Sequence, residues 1–415
     1  MRWNLRRALL GVGIVVSMLI TETLPAEDAR NDPRVFVHRF RPDEEYRIVG
    51  VNEQNLFVDN EPVGAAEVLT RVLITVTDRS ESPTGVTGTL LAEYQVSEEA
   101  ETGAGAFQLE REYRVEIEQD ADGTQRVPED AFVPQVRGIP SFPAEEIAPG
   151  DTWTAPAVEA YDFREGLGIE DPVLIPVEVS YELLGQREFE GTVYDEIAIR
   201  YNLFYRPPPT RPEAETIRLI TARFSQRLLW DYLAGRAHYY DEEYTLFMQL
   251  ADGTRSEYRG RADGRVVSAP PLDRDALRRD IEDAIAADEI ADTTVRSDEE
   301  GVTVSLENIQ FAPDSARLLE SEREKLAWLA SILERYPDRD ILVSGHTALA
   351  GTEAGRQRLS EERAAAVGEY LIELGARARE NILYRGYGAR EPIASNDTEA
   401  GRRRNRRVEI TILEN

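Results

Sequence analysis

Residues 341–371, ILVSGHTALAGTEAGRQRLSEERAAAVGEYL, pass from one kind of periodicity to another. Ile341 to Ser344 is a short apolar run of the length of a buried strand, and Gly345-His346-Thr347 ends it. From about Arg356 to Leu374 the pattern is helical. Leu359, Val367, Tyr370 and Leu371 fall on one face, and Gly375 is the C-terminal stop. Working outward, Val302 to Leu306 alternates as a strand. Asp314 or Ser315 is placed to cap a helix running to about Tyr336, where Pro337 ends it, with Leu318, Leu319, Leu326, Leu329, Ile332 and Leu333 as its buried stripe. Downstream, Ile382 to Tyr384 and Val408 to Leu413 supply two more strands. The order β-α-β-α-β, an irregular segment, then β, fits a two-layer α/β sandwich.

The motifs along this stretch are Gly345-His346-Thr347, Leu359-Ser360-Glu361-Glu362-Arg363-Ala364, Gly386-Tyr387-Gly388 and Asn405-Arg406-Arg407-Val408-Glu409. Any one alone is weak. In this order and spacing they resemble the OmpA-like C-terminal domain, the peptidoglycan-associating module of OmpA, Pal and MotB type, over about residues 297–415. The resemblance implies a mixed sheet with helices on one face. It also implies a pocket for the diaminopimelate side chain of the peptidoglycan stem peptide, in which an Asp and an Arg act as two hands on a zwitterion. A carboxylate suits the ammonium end, and a planar guanidinium takes a carboxylate with two parallel hydrogen bonds.

Carried over residue by residue, the resemblance places Arg363 and Arg406 at the pocket, with Thr347, Ala348 and Leu349 in its loop and Asp314 in the loop after the first strand. Two positions depart from the pattern. Ala348 stands where the ammonium-binding Asp is usual, and Arg356 stands where an Asn is usual. The first departure removes a charge-assisted contact of about 1.5–3 kcal/mol. The second adds positive charge near a site meant for an ammonium. The expectation is therefore atypical or weakened binding, or a stem peptide without diaminopimelate. His346, Asn405 and Arg407 are read as packing and bracing residues, and the arginines of 402–407 as fold and pocket rather than a nucleic-acid stripe, because alternate strand residues face opposite ways.

Residues 27–268 read as mostly β. Runs such as Val68 to Val76, Leu90 to Val96, Tyr113 to Ile117, Val173 to Tyr181, Ile197 to Tyr205, Ile217 to Leu229 and Tyr239 to Leu250 are rich in β-branched and aromatic residues. Asp122-Gly123, Asp252-Gly253 and Asp263-Gly264 are hairpin turn signals, and Pro207-Pro208-Pro209 marks a loop or edge. The pattern suggests an antiparallel sandwich or open barrel, as one domain or as two with a seam near Pro149-Gly150. A membrane barrel needs unbroken lipid-facing apolar rows. Here Thr221 and Arg223 share a face with Ile217 and Leu219, which favours a soluble domain. Residues 269–296 read as a helical linker, with Leu277, Ile281 and Ile285 at helical spacing. The fold class is thus α+β and multidomain, a mostly-β region followed by the two-layer sandwich.

The charge is lopsided. Residues 301–415 hold 19 acidic and 17 basic side chains, whereas residues 1–300 hold 59 and 31. An acidic surface of this size repels phosphate backbones, so nucleic acid is excluded as a partner. The chain has no cysteine and three scattered histidines, which leaves no thiolate or histidine metal cluster and no lipidated cysteine. There is no Gly-x-Ser-x-Gly, phosphate loop or His-Glu-x-x-His, so neither catalysis nor a cofactor is expected. Arg2, Arg6 and Arg7 followed by the apolar run Ala8 to Ile20 read as an export signal, with cleavage after Ala26 or, as the alternative, retention as an uncleaved anchor. The resulting expectation is a non-catalytic envelope protein of the periplasm that fixes an acidic β-rich domain to the cell wall or outer membrane. The alternatives are a scaffold of the same fold that has exchanged peptidoglycan for a protein partner, and an outer-membrane β-barrel with a periplasmic OmpA-like domain.

Overall fold

The computed structural model describes residues 32–82, 85–99, 105–267, 272–298, 300–307, 309, 311, 316 and 318–414. The expected export segment 1–26 and Asp314, with the helix cap placed at 314 or 315, lie outside the described residues. The fold is mostly β, 51% strand against 18% helix. The chain divides into two compact units. One gathers residues up to 96 and 111–268; the other gathers 97–110 and the chain from 269 onward.

The first unit is built from long antiparallel strands: β1 (Glu45–Val58), β2 (Glu61–Ser82), β3 (Gly85–Glu99), β4 (Phe107–Asp120), the two-residue β5 (Gln125–Arg126) and β6 (Val136–Arg137), and β7 (Thr152–Tyr161). A single helical turn, α1 (Arg164–Leu167), precedes β8 (Val173–Phe189), β9 (Thr192–Tyr205), β10 (Ile217–Asp231), β11 (Arg236–Leu250) and β12 (Arg255–Val267). From β6 to β12 each strand pairs with the next, and β12 then pairs with β1, which pairs with β2. Pro207-Pro208-Pro209 lies in the loop between β9 and β10, where a missing N–H costs the ladder nothing.

The two-residue side-chain period sorts these strands into faces. On β12, Tyr258, Ala262 and Gly264 are buried, while Arg259, Arg261, Asp263 and Arg265 are exposed. On β1, Ile48, Asn52, Gln54 and Leu56 point to the interior, and Glu53 and Asn55 point to water. One core takes side chains from both sides of Pro149-Gly150, including Ile48, Val72 and Ala92 with Val179, Ile199 and Trp230.

One turn expectation fails. Asp122-Gly123 and Asp252-Gly253 sit at turns, but Asp263-Gly264 is inside β12. The reason is packing. Gly264 pairs with Tyr240, whose ring occupies the place of the missing side chain, so the glycine serves a close approach rather than a reversal.

The second unit has a mixed sheet. Its strands are β13 (Thr293–Ser297), β14 (Gly301–Glu307), β15 (Ile341–Gly345), β16 (Ile382–Gly386) and β17 (Arg407–Leu413). They lie in the order β13-β14-β17-β15-β16. All neighbours are antiparallel except β15 and β16, which are parallel. Phe107 and Gln108 extend this sheet by pairing in parallel with Leu383 and Tyr384. Ala106 joins the unit's core, and Arg379 Nε donates to Gly105 O at 3.1 Å.

Four helices complete the unit: α2 (Arg274–Ala287), α3 (Glu320–Leu333), α4 (Glu353–Glu373) and α5 (Glu399–Asn405). The stretch read as a linker thus supplies α2, with Leu277 and Ile281 in the core, and the edge strand β13. α3 starts at Glu320, later than expected, and ends at Leu333, before Tyr336. α4 starts at Glu353 because Thr352 accepts the Gly355 N–H at 3.1 Å. The segment expected to be irregular contains α5, capped by Thr398 through the Gly401 N–H at 3.0 Å. The apolar alternation of β14 and β17 holds: Val302, Val304 and Leu306 and Val408, Ile410 and Ile412 enter the core. Their other face is buried but polar, and there Thr303 and Thr411 hydroxyls bond at 2.9 Å.

Candidate ligand-binding site

The ends of β15 and β16 meet the first turns of α4 at very short range. A Cβ on Gly345 would strike the Ser360 carbonyl and lie 3.2 Å from Ala364 Cβ. Gly386 faces Ser360 and Glu361 just as closely. Glycine is required at both, and the close approach fixes where the residue one turn beyond Ser360 stands. That residue is Arg363.

Polar contacts lock the loops around this junction. Ser360 Oγ accepts from Gly388 N at 2.9 Å, and Gln357 Nε2 donates to Gly386 O at 2.7 Å. Thr347 N donates to Gly388 O at 2.8 Å. Leu349 N donates to Asn396 Oδ1 at 3.0 Å. Asn405, buried, accepts from Ile393 N and Ala394 N and donates to Ala394 O and Asn396 Oδ1. Four partners on one amide make it the clamp of the 393–396 loop.

Beneath the loop, His346 stacks on Tyr387 with ring centroids 5.1 Å apart. Burial pushes its imidazole down to about 3, and Arg407 adds to the shift, so His346 is neutral across the physiological range. Glu409 is held below the usual carboxylate range. Burial opposes ionisation there, but Arg407 at 2.7 Å and Arg296 at 2.7 Å more than offset it. These groups brace the floor of the site and match the bracing expected of His346 and Arg407.

The expected site residues fall into distinct environments. Thr347 and Ala348 are buried, and the Thr347 hydroxyl has no hydrogen-bond partner among the described residues. Leu349 is 59% exposed. Arg356 Nη1 donates to Gly351 O at 2.6 Å, so this extra arginine closes the loop in front of α4. Arg363 lies over the Phe311 ring at 4.8 Å. Its guanidinium is held below its usual value by burial first and by Arg406 second. Its Nε is buried and has no acceptor among the described residues. Glu362 does not neutralise it at contact, because Glu362 pairs with Arg358 at 3.5 Å, and Glu361 bonds Gln357. Arg406 donates to Glu399 Oε1 at 3.0 Å, and Arg402 holds the same carboxylate at 2.9 Å. Phe311, Asn396 and Glu399 were not singled out from the sequence. Only Asn396, beside a turn-forming Asp397, carried a local signal.

The site therefore gathers two arginines close enough to repel, with a buried hydroxyl and a buried alanine in the neighbouring loop. This arrangement sits within residues that match the OmpA family, 310–406. Residues 310–406 are an OmpA family domain. Similar proteins include a probable lipoprotein, a peptidoglycan-binding protein and an outer membrane porin. The probable lipoprotein YiaD of Escherichia coli is 35% identical over 32% of this chain and 62% of its own length. The peptidoglycan-binding protein ArfA of Mycobacterium bovis is 39% identical over 25% of this chain and 32% of its own. The outer membrane porin F of Pseudomonas aeruginosa is 39% identical over 27% of this chain and 32% of its own. The chain thus spans 32–62% of the length of these relatives.

Proposed function

We propose that the OmpA-like domain seats a carboxylate of the peptidoglycan stem peptide on Arg363, with Arg406 and Thr347 beside it, and so fixes the acidic β-rich unit to the wall of the exported protein's envelope. The observation that carries this reading is the Arg363 guanidinium. It is partly desolvated, lies beside a second arginine, and has a donor without an acceptor among the described residues. Such a group is stabilised by an anion.

The binding is atypical because the second hand is missing. Ala348 presents a buried methyl where a carboxylate would meet an ammonium, and the nearby carboxylate, Glu399, is already shared by Arg402 and Arg406. Arg356 acts as a loop brace. The stem peptide's carboxylate end is then recognised far better than its amine end, which suits a blocked amine or a diamino acid other than diaminopimelate.

Co-sedimentation of the full chain with purified peptidoglycan tests the proposal. The full chain is needed because residues 97–110 supply strand pairing and core to the second unit. Ala348→Asp is expected to tighten binding about tenfold to walls with a free diaminopimelate amine, the equivalent of roughly 1.4 kcal/mol. If wild type and Ala348→Asp both stay in the supernatant, the pocket is not a wall site.

The exposed Leu349 beside a lost carboxylate favours one second reading, a protein partner in place of the wall. That reading predicts a cross-linked partner that survives wall digestion. The outward residues of β12, Arg255, Arg259, Arg261 and Arg265, support a water-facing surface for the β-rich unit, since a lipid-facing strand would need an apolar row there.

A further inference from the structure

The interior of the β-rich unit is not uniformly apolar. On β11 the triplet Tyr240-x-Glu242-x-Tyr244 faces inward, in register with Gly264-x-Ala262-x-Gly260 on β12. The two tyrosine rings lie over the two glycines. Tyr244 Oη is 3.1 Å from Asn52 Oδ1 and 3.2 Å from Gln54 Oε1 on β1. Glu242 stands between the rings, opposite Ala262, and is only half-buried.

A second carboxylate approaches from β7. Glu159 is fully buried. One of its oxygens accepts from Tyr201 Oη at 2.5 Å, and Gln135 and Tyr161 also lie close to the carboxylate. The buried hydroxyl of Tyr240, beside Glu242, is unpartnered among the described residues, and that of Tyr161 lies beside Glu159. The groups that face the two carboxylates are thus phenols and amides. Among the described residues, no arginine, lysine or histidine reaches either one. Burial pushes Glu159 up to about 7. Burial and then the charge of Glu159 push Glu242 up to about 8.

We propose that this cluster binds a small organic ammonium group between Glu159 and Glu242, within a cage formed by Tyr161, Tyr201, Tyr240 and Tyr244. Two carboxylates supply the counter-charge, the phenol oxygens accept N–H bonds, and the ring faces favour a cation electrostatically. Among the described residues no group of three or more His, Cys, Asp or Glu side chains is placed to hold a metal ion. The site lies wholly within the β-rich unit and is independent of the peptidoglycan reading.

The test uses the full chain, with n-butylammonium and Nα-acetyl-lysine amide as probes, in calorimetry and thermal melts at pH 6 and pH 8.5. Both probes keep their charge at pH 8.5, because an alkylammonium loses its proton near pH 10.4. Binding is expected to be at least tenfold tighter at pH 8.5, where the carboxylates are ionised, and to be lost in Glu242→Gln. Glu159→Gln is expected to weaken it at least tenfold. Circular dichroism verifies that both variants fold. The proposal is overturned if neither probe raises the melting temperature, if Glu242→Gln binds like wild type, or if calcium chloride binds where the amines do not.

Discussion

Arg363→Ala is expected to lower the affinity of the full chain for peptidoglycan roughly ten- to a hundredfold. The lost contact is a charge-assisted bond between guanidinium and carboxylate of about 1.5–3 kcal/mol, and about 1.4 kcal/mol is one decade in the dissociation constant. Stability should change little. Its Nε has no acceptor among the described residues, and its contact with Phe311 at 4.8 Å contributes about 0.5–1 kcal/mol. Arg363→Lys should keep only part of the affinity, since an ammonium has the charge without the planar fork. Arg404→Ala is the control. Arg404 is exposed and pairs with Glu307 at 2.9 Å, so it removes one positive charge without touching the site. Sedimentation assays on the three variants at two salt concentrations separate the cases. An equal loss in Arg363→Ala and Arg404→Ala, or no loss in either, would count against a built carboxylate seat.

Why the site was legible in the sequence while its neighbours were not is a matter of range. Gly345, Ser360, Gly386 and Gly388 announce themselves because a close approach between strand ends and a helix admits few residue types, and the structure brings these four together. The strand alternation of Tyr113 to Ile117 is a local consequence of one wet and one buried face, and it appears as expected. Phe311 and Glu399 escaped notice because their importance comes from partners about 50 residues downstream and seven residues on, across a loop and a helix turn. The pairing of Phe107 and Gln108 with Leu383 and Tyr384 spans more than 270 positions, and no local pattern encodes it. Asp263-Gly264 misled because a glycine that makes room for Tyr240 has the same local spelling as one that turns the chain. The buried carboxylates were hidden by abundance. In a chain with 78 acidic residues, nothing local marks Glu159 and Glu242 as the ones turned inward.

Those two carboxylates should make the β-rich unit less stable as the pH rises, against the usual trend for acidic groups held in ion pairs. The sign follows from proton counting. In the folded chain Glu159 titrates at about 7 and Glu242 at about 8, while in the unfolded chain both return to about 4.5. Between pH 4.5 and 8 the folded state therefore holds more protons, and its stability falls with increasing pH. The contribution is fully present below pH 4.5 and is lost once the pH passes 8. Glu242 is only half-buried, which screens its charge in part, so Glu159 sets the firmer magnitude: about 3 kcal/mol, from about 1.4 kcal/mol for each pKa unit. Denaturant melts of the full chain at pH 5 and pH 8.5 should show this loss in the transition of the β-rich unit. Glu159→Gln keeps an acceptor for Tyr201 Oη and cannot ionise, so it should flatten the profile and leave the variant more stable than wild type at pH 8.5. An ammonium bound between the carboxylates would flatten the profile too, by letting both ionise at no electrostatic cost. Adding n-butylammonium at pH 8.5 should thus restore the wild type toward its pH 5 stability and leave Glu242→Gln unmoved. A wild-type profile that rises from pH 5 to 8.5, or one that Glu159→Gln does not alter, would mean that the interior carboxylates are hydrated and ordinary.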